Sequence, residues 1–188
     1  MKIAILVSGS GTNLQAIIDA VDAGILSGIE ISCVIADRNC YGIERALDAG
    51  IETWYVERNQ NLSLEIDKIC KENQISLIIL AGFLSILDGE FCKKWDQKVI
   101  NLHPALLPDY GGAGMYGNRV HKAVLDNKEK KSGATVHYVS AEIDQGKIIE
   151  QESFDIPENA DLEWLQNKIS EIEKPLLINV IKRLSLSE

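Results

Sequence analysis

The sequence predicts an α/β fold: a Rossmann-like open, mostly parallel sheet with helices on both faces. Three observations predict it. Several short runs are apolar throughout, without the alternation of a sheet that faces water on one side. Segments of helical period separate those runs, the order expected of strand–helix–strand units. A glycine turn, Ser8-Gly9-Ser10-Gly11-Thr12-Asn13, joins the first run to the first helical segment.

Taken in order, Ile3–Val7 reads as a buried strand. Asn13 is placed to cap a helix whose apolar residues Leu14, Ile17, Ile18 and Val21 fall at i, i+3, i+4 and i+7. Ile31–Ala36 is a second strand, and a short helix over Ile43–Ala49 stops at Gly50, where a C-terminal glycine belongs. Thr53–Val56 is a third strand, Leu62–Lys71 an amphipathic helix, and Leu77–Ala81 and Val99–Leu102 two further buried strands. After Pro104 the pattern changes. Pro104 to Gly117 is rich in Gly and Pro and reads as a long functional loop, and Asn118 opens a helix through Asn127. Ala134–Val139 and Ile148–Phe154 are strands with a Gly-containing connection, suited to antiparallel pairing. From Ala160 onwards Leu162, Leu165, Ile169, Ile172, Leu176, Val180 and Leu184 mark a helix, with a kink expected at Pro175. No repeat, low-complexity tract or linker divides the chain, so residues 1–188 are read as one domain.

Composition narrows the function classes. The 188 residues are 46% hydrophobic and 25% charged, ordinary for a globular domain, and 19 Lys+Arg against 28 Asp+Glu give a net charge of −9. Such a surface repels phosphate backbones and anionic membranes, so neither nucleic acid nor membrane is expected as a partner. Cys33, Cys40, Cys70 and Cys92 form no C-x-x-C pair, and there are only 3 histidines, which argues for reduced thiols and against a structural zinc. The opening apolar run is shorter than the roughly 7–15 residues of a signal-peptide core, and a cytoplasmic location is expected.

Two places carry chemistry. Glycines in the Ser8–Asn13 turn let the backbone approach a ligand, and the helix start favours an anion, so a monophosphate cradle is one reading and a plain tight turn the other. The third glycine of the dinucleotide fingerprint is replaced by Leu14, and the Walker ending is absent. Asp37 could still stand in for a ribose-binding acid, which leaves NAD open at this point. The second place is Asn101-Leu102-His103-Pro104. Residues two apart share a strand face, so Asn101 and His103 project together at the carboxyl end of a strand, where open α/β sheets bind ligands. An amide and an imidazole there can donate to one developing oxyanion, and the imidazole can exchange protons near neutral pH. They could equally tie down the loop that follows. Asp144 reads as a turn residue, and no spacing shows that it meets His103. His137 is expected to be a satisfied structural histidine, His121 to be solvated, Glu173 to be a surface charge, and Lys128 to Lys131 a solvated turn.

At these residues the chain resembles the phosphoribosylglycinamide formyltransferases, folate-dependent enzymes of purine synthesis. The resemblance runs nearly end to end, through Ile5-Leu6-Val7-Ser8-Gly9-Ser10-Gly11-Thr12-Asn13-Leu14-Gln15-Ala16-Ile17 and Leu80-Ala81-Gly82-Phe83-Leu84-Ser85-Ile86-Leu87. It continues in Asn101-Leu102-His103-Pro104-Ala105-Leu106-Leu107-Pro108 and Gly133-Ala134-Thr135-Val136-His137-Tyr138-Val139, five residues before Asp144. The Asn-x-His-Pro-x-Leu-Leu-Pro motif marks the wider formyltransferase group, and the length leaves no room for the extra domains of methionyl-tRNA formyltransferases or formyltetrahydrofolate deformylases.

The resemblance implies 10-formyltetrahydrofolate as co-substrate, 5-phosphoribosylglycinamide as acceptor and no metal. It implies Asn101, His103 and Asp144 as the catalytic trio and Gly11, Thr12 and Asn13 as the phosphate cradle. It further implies Glu173 as an acid on the ribonucleotide, and Leu84, Ser85, Ile86 and Leu87 with Asn101 as the folate border. On this reading residues about 1–100 form a phosphate-binding half and about 101–188 a folate and catalytic half, in a monomer or homodimer. Two departures bear on the folate tail: Ser85 stands where many relatives have Arg, and the segment Asn59 to Ser63 lacks an arginine used there. The loop Asp109–Gly117 is longer than in some relatives. Alternatives are a formyltransferase for another amine such as an amino sugar nucleotide, a nucleotide-binding module without formyl chemistry, and a silent folate-binding scaffold.

Overall fold

In the computed structural model, which describes residues 1–186, the first apolar run becomes strand β1 (Lys2–Val7), with Ile3 to Val7 fully buried. It is followed by α1 (Thr12–Asp22), β2 (Glu30–Ala36), α2 (Tyr41–Asp48), β3 (Glu52–Tyr55), α3 (Leu62–Glu72), β4 (Leu77–Leu80), α4 (Gly89–Lys94) and β5 (Val99–His103). The last part holds α5 (Asn118–Asp126), β6 (Lys131–Tyr138), β7 (Ile148–Asp155) and α6 (Leu162–Ser185). The seven strands form one sheet in the order β3-β2-β1-β4-β5-β6-β7. Pairings from β3 to β5 are parallel, and β5–β6 and β6–β7 are antiparallel.

Both faces are covered because the central strands alternate two apolar sets. Ile3, Ile5 and Val7 of β1 pack with Leu14 and Ile17 of α1 and with Leu176, Leu177 and Val180 of α6. Ala4 and Leu6 point the other way, onto Ile66 and Cys70 of α3 and Phe91 of α4. The chain builds outward from β1 to β3, then crosses to β4 on the opposite side of β1. That reversal opens a crevice at the carboxyl ends of β1 and β4, the ligand position of such sheets.

Several local expectations are corrected. Asn13 does not cap α1: the cap is Gly11, in the left-handed region at φ 70°, and it offers no side-chain acceptor. A Cβ on Gly11 would lie 2.7 Å from the Gly42 Cα, so the turn admits only glycine where it presses on α2. Helix α4 leaves no pattern in the sequence. It is six residues long, too short to show a period, and its start is fixed by Asp88, whose carboxylate accepts from the Phe91 N–H at 2.8 Å. Strand β6 begins at Lys131, earlier than its apolar run, because Lys131 to Gly133 pair with Asp155 to Ser153 of β7. Helix α6 is capped by Asp161 and runs unbroken through Pro175, whose missing N–H falls on the exposed side.

Candidate active site

Strand β5 ends at the crevice and carries Asn101 and His103 on one face, as the period of two requires. Its antiparallel partner β6 sets His137 opposite Asn101 and Thr135 opposite His103. Thr135 fixes the loop that leaves β5: its hydroxyl donates to the Ala105 carbonyl at 2.6 Å and accepts from the Leu107 N–H at 3.1 Å. Asp144 lies in the connection from β6 to β7, with φ 58° and its side chain 11% exposed.

These elements bring the trio together. Asp144 Oδ2 lies 3.6 Å from His103 Nδ1, and its Oδ1 lies 3.6 Å from His137 Nε2. Oδ2 also accepts from the Gly112 N–H at 2.9 Å. Proton positions follow from the fixed acceptors. His103 Nε2 is 2.8 Å from the Tyr110 carbonyl, which can only accept, so Nε2 carries the hydrogen and Nδ1 of the neutral ring is bare. His137 Nδ1 faces the Tyr138 carbonyl at 2.9 Å, which leaves Nε2 to accept from Asn101 Nδ2 at 3.1 Å. Asn101 therefore spends one amide hydrogen on His137 and keeps the second for a ligand. His137 is the satisfied histidine that the sequence suggested, and it also orients the amide beside it.

Burial is the largest influence on His103. It takes the imidazole below its ordinary 6.5, helped by the charge of His137, although Asp144 and the Tyr110 carbonyl pull it up. Desolvation thus outweighs the pull of Asp144, which favours the neutral ring at neutral pH. Burial also pushes Asp144 up, but the neighbouring His137 imidazole, the bond from the Gly112 N–H and the nearby His103 bring it below the usual carboxylate value. His121 is buried rather than solvated, its Nδ1 has no partner among the described residues, and burial together with His103 lowers its pKa.

Glu173 is no free surface charge. It sits where α6 crosses α1, with Oε2 3.5 Å from Asn13 Nδ2, and burial raises its carboxyl from 4.5 to about 7 against the pull of Asn13 and Lys174. The Asn13 Oδ1 is buried without a donor among the described residues. The start of α1 is open in another respect. Where α4 and α6 have capping aspartates, α1 starts at Gly11 without a side-chain cap among the described residues, which leaves its first N–H groups available to a ligand.

The segment after β4 divides. Leu84 and Ile86 are exposed and, with Arg58, Asn59 and Ser63, line a cavity of about 680 Å³, whereas Leu87 is buried in the core. The Leu84 N–H donates to Ser8 Oγ at 2.8 Å, and Ser85 Oγ donates to Asp37 Oδ2 at 2.5 Å. The Asp37 side chain is wholly buried and accepts from Arg38 Nε at 2.9 Å and Arg38 Nη2 at 2.8 Å, with Arg58 Nε 3.7 Å away. It is not free for a ribose, which removes the feature that had kept a dinucleotide in view. Arg58 lies just beyond the carboxyl end of β3, a position in the sequence that marks it as a candidate for the crevice. Among the described residues no group of three or more His, Cys, Asp or Glu could hold a metal, and no helix is long and apolar enough to cross a membrane.

Residues 1–181 match the formyl transferase family. The chain belongs to the formyl transferase family. The chain is 35% identical over 187 residues to a phosphoribosylglycinamide formyltransferase of Haemophilus influenzae, covering 96% of this chain and 85% of that protein. The chain is also 37% identical over 179 residues, 92% of its length, to a trifunctional purine biosynthetic protein adenosine-3 of Gallus gallus, of which it spans only 17%. It spans 64% of a chloroplastic phosphoribosylglycinamide formyltransferase of Arabidopsis thaliana at 32% identity. Among solved structures of the formyl transferase fold, phosphoribosylglycinamide formyltransferase from Anaplasma phagocytophilum superposes with TM-score 0.89 at 33% identity, over 100% of this chain and 88% of that one. The enzyme of the same name from Bacillus halodurans gives TM-score 0.89 at 30% identity, over 98% and 95%.

Proposed function

We propose that this protein transfers the formyl group of 10-formyltetrahydrofolate to the amine of 5-phosphoribosylglycinamide, a step of purine biosynthesis. The observation that carries the reading is the bare His103 Nδ1 beside the ionised Asp144, next to an Asn101 amide with one hydrogen to spare. That set suits addition of a neutral amine to a formyl carbonyl. The names of the relatives supply the acceptor, and the uncapped start of α1 suits its phosphate.

In the proposed reaction the amine nitrogen bonds to the formyl carbon and the carbonyl electrons move to oxygen. The free Asn101 hydrogen stabilises that oxyanion; one such donor contributes about 3–4 kcal/mol. His103 Nδ1 takes the proton released by the new C–N bond, and the imidazolium is steadied by Asp144. When the tetrahedral carbon collapses, the bond to the folate nitrogen breaks and the same proton passes to that nitrogen. Acid–base help of this kind is worth roughly 10²–10⁴-fold. No covalent enzyme intermediate is needed.

The N–H groups of Thr12 and Asn13, with Gly11 left open, would hold the phosphate, and Glu173 with Asn13 would meet the polar groups of the ribonucleotide. Leu84 and Ile86 offer apolar surface to the pterin, and Arg58 offers a cation for the glutamate tail in place of the arginine absent from Asn59 to Ser63. The four thiols are free, which fits a cytoplasmic enzyme. A coupled absorbance assay with both substrates tests the reading. Production of tetrahydrofolate that depends on the ribonucleotide supports it; folate turnover unaffected by the ribonucleotide would replace it with formyl transfer to another acceptor.

A further inference from the structure

We infer that Tyr110 is a positioning residue for His103: its side chain, clamped outside the site, aims the backbone carbonyl that keeps the resting imidazole's proton on Nε2 and leaves Nδ1 free. The kinetic part rests on the formyl-transfer reading; the structural part does not.

Two acceptors compete for the single proton of the neutral ring. The Asp144 carboxylate would draw it onto Nδ1, where it would block the nitrogen from taking a proton off the amine. The Tyr110 carbonyl draws it onto Nε2. Geometry decides between them: the carbonyl is at 2.8 Å, within hydrogen-bond range, and the carboxylate at 3.6 Å is not. The group that settles which nitrogen works is therefore a main-chain oxygen, and its aim depends on how the Tyr110 backbone is held.

That backbone has φ 57°, a region that side-chain-bearing residues rarely occupy without support. The support comes from the tyrosine side chain. Its hydroxyl donates to Glu129 Oε1 at 2.7 Å and accepts from Asn127 Nδ2 at 2.9 Å, while the ring packs against the cluster of Val124, Leu165 and Ile169. Asn127 and Glu129 are exposed and belong to the turn between α5 and β6. The next two residues extend the hold. A Cβ at Gly111 would stand 2.6 Å from Leu107 Cδ2 and 3.1 Å from Asp144 Cβ, and the Gly112 N–H is the donor to Asp144. One short strap thus gives a carbonyl to the imidazole and an N–H to the carboxylate, and the Tyr110 hydroxyl anchors it from outside.

The test is ¹⁵N NMR of histidine-labelled protein at pH 8, with kinetics alongside. The wild type is expected to show His103 with Nε2 protonated and Nδ1 bare. Tyr110→Phe, which deletes only the hydroxyl, is expected to populate the Nδ1–H form and to lower kcat by roughly 10- to 100-fold, the range for lost orienting partners, with KM for both substrates unchanged. Glu129→Gln keeps an acceptor for the hydroxyl and is expected to retain the wild-type tautomer, whereas Asn127→Ala with Glu129→Ala should reproduce Tyr110→Phe. A wild-type ring protonated on Nδ1, or a folded Tyr110→Phe protein with wild-type tautomer and kcat, overturns the inference. A tautomer shift in protein that transfers no formyl group supports the positioning and sinks the formyl-transfer reading alone.

Discussion

Replacing Glu173 by Gln gives a change whose size can be worked out beforehand. The carboxyl is raised from 4.5 to about 7 because burial between α6 and α1 penalises its charge more than Asn13 and Lys174 relieve it. A raised acid binds more protons folded than unfolded between those two values, so folding stability falls as pH climbs through that window. At 1.36 kcal/mol per unit, the charged carboxylate costs about 3 kcal/mol by pH 8, an order-of-magnitude figure. Glutamine fills the same space and cannot ionise. Glu173→Gln is therefore expected to lose about 3 kcal/mol less stability than the wild type between pH 5 and pH 8, read as urea midpoints at constant m. Buried histidines shape both curves alike and cancel in the difference. In parallel, the variant should bind the ribonucleotide more weakly above pH 7, where the lost carboxylate would have accepted its hydrogen bonds. Superimposable pH–stability curves for the two proteins would refute the buried-carboxyl argument.

Further outcomes follow from the same geometry. His103→Ala and Asp144→Asn should each fold and lose formyl transfer by at least about 100-fold, the lower end for acid–base help; wild-type rates in both would falsify the assignment. Because Asp144 raises His103 against burial, Asp144→Asn should move the imidazole titration further below 6.5, seen by NMR; an upward shift would contradict the electrostatic account. Arg58→Ala should raise KM for the folate by roughly 5-fold with kcat unchanged, a modest effect because an exposed cation contributes about 1 kcal/mol; an unchanged KM would take the cavity out of the donor site. Gly11→Val forces a side chain against Gly42 and into a left-handed turn, so calorimetry should show weakened ribonucleotide binding with folate binding spared.

The parallel half of the sheet was legible because its strands lie between two helix layers and therefore read as unbroken apolar runs, from Ile3–Val7 to Val99–Leu102. The antiparallel β6–β7 pair was visible too, but not its early start, since Lys131 enters the ladder through backbone pairing rather than through its side chain. Helix α4 is set by one aspartate cap and leaves no periodic trace. In the site, Asn101 and His103 could be paired by strand alternation alone. Their meeting with Asp144 was implied only by resemblance, because it depends on the return of the chain from β6 at a positive φ. Glu173 and His121 were misjudged for one reason: helix periodicity does not tell which polar residue another helix or loop will cover. Arg58 and the Tyr110 strap lie in loops, whose aim is fixed by tertiary contacts rather than by any local pattern.

The contact of Asn13 with Glu173 joins residues 160 apart in the chain. On a ribosome, residue 13 emerges long before its partner, while the cavity wall from Arg58 to Asp88 is complete by mid-synthesis. On the proposed function, the folate side is therefore encoded early and the ribonucleotide side only once α6 docks, and a nick that frees α6 is expected to weaken ribonucleotide binding before folate binding.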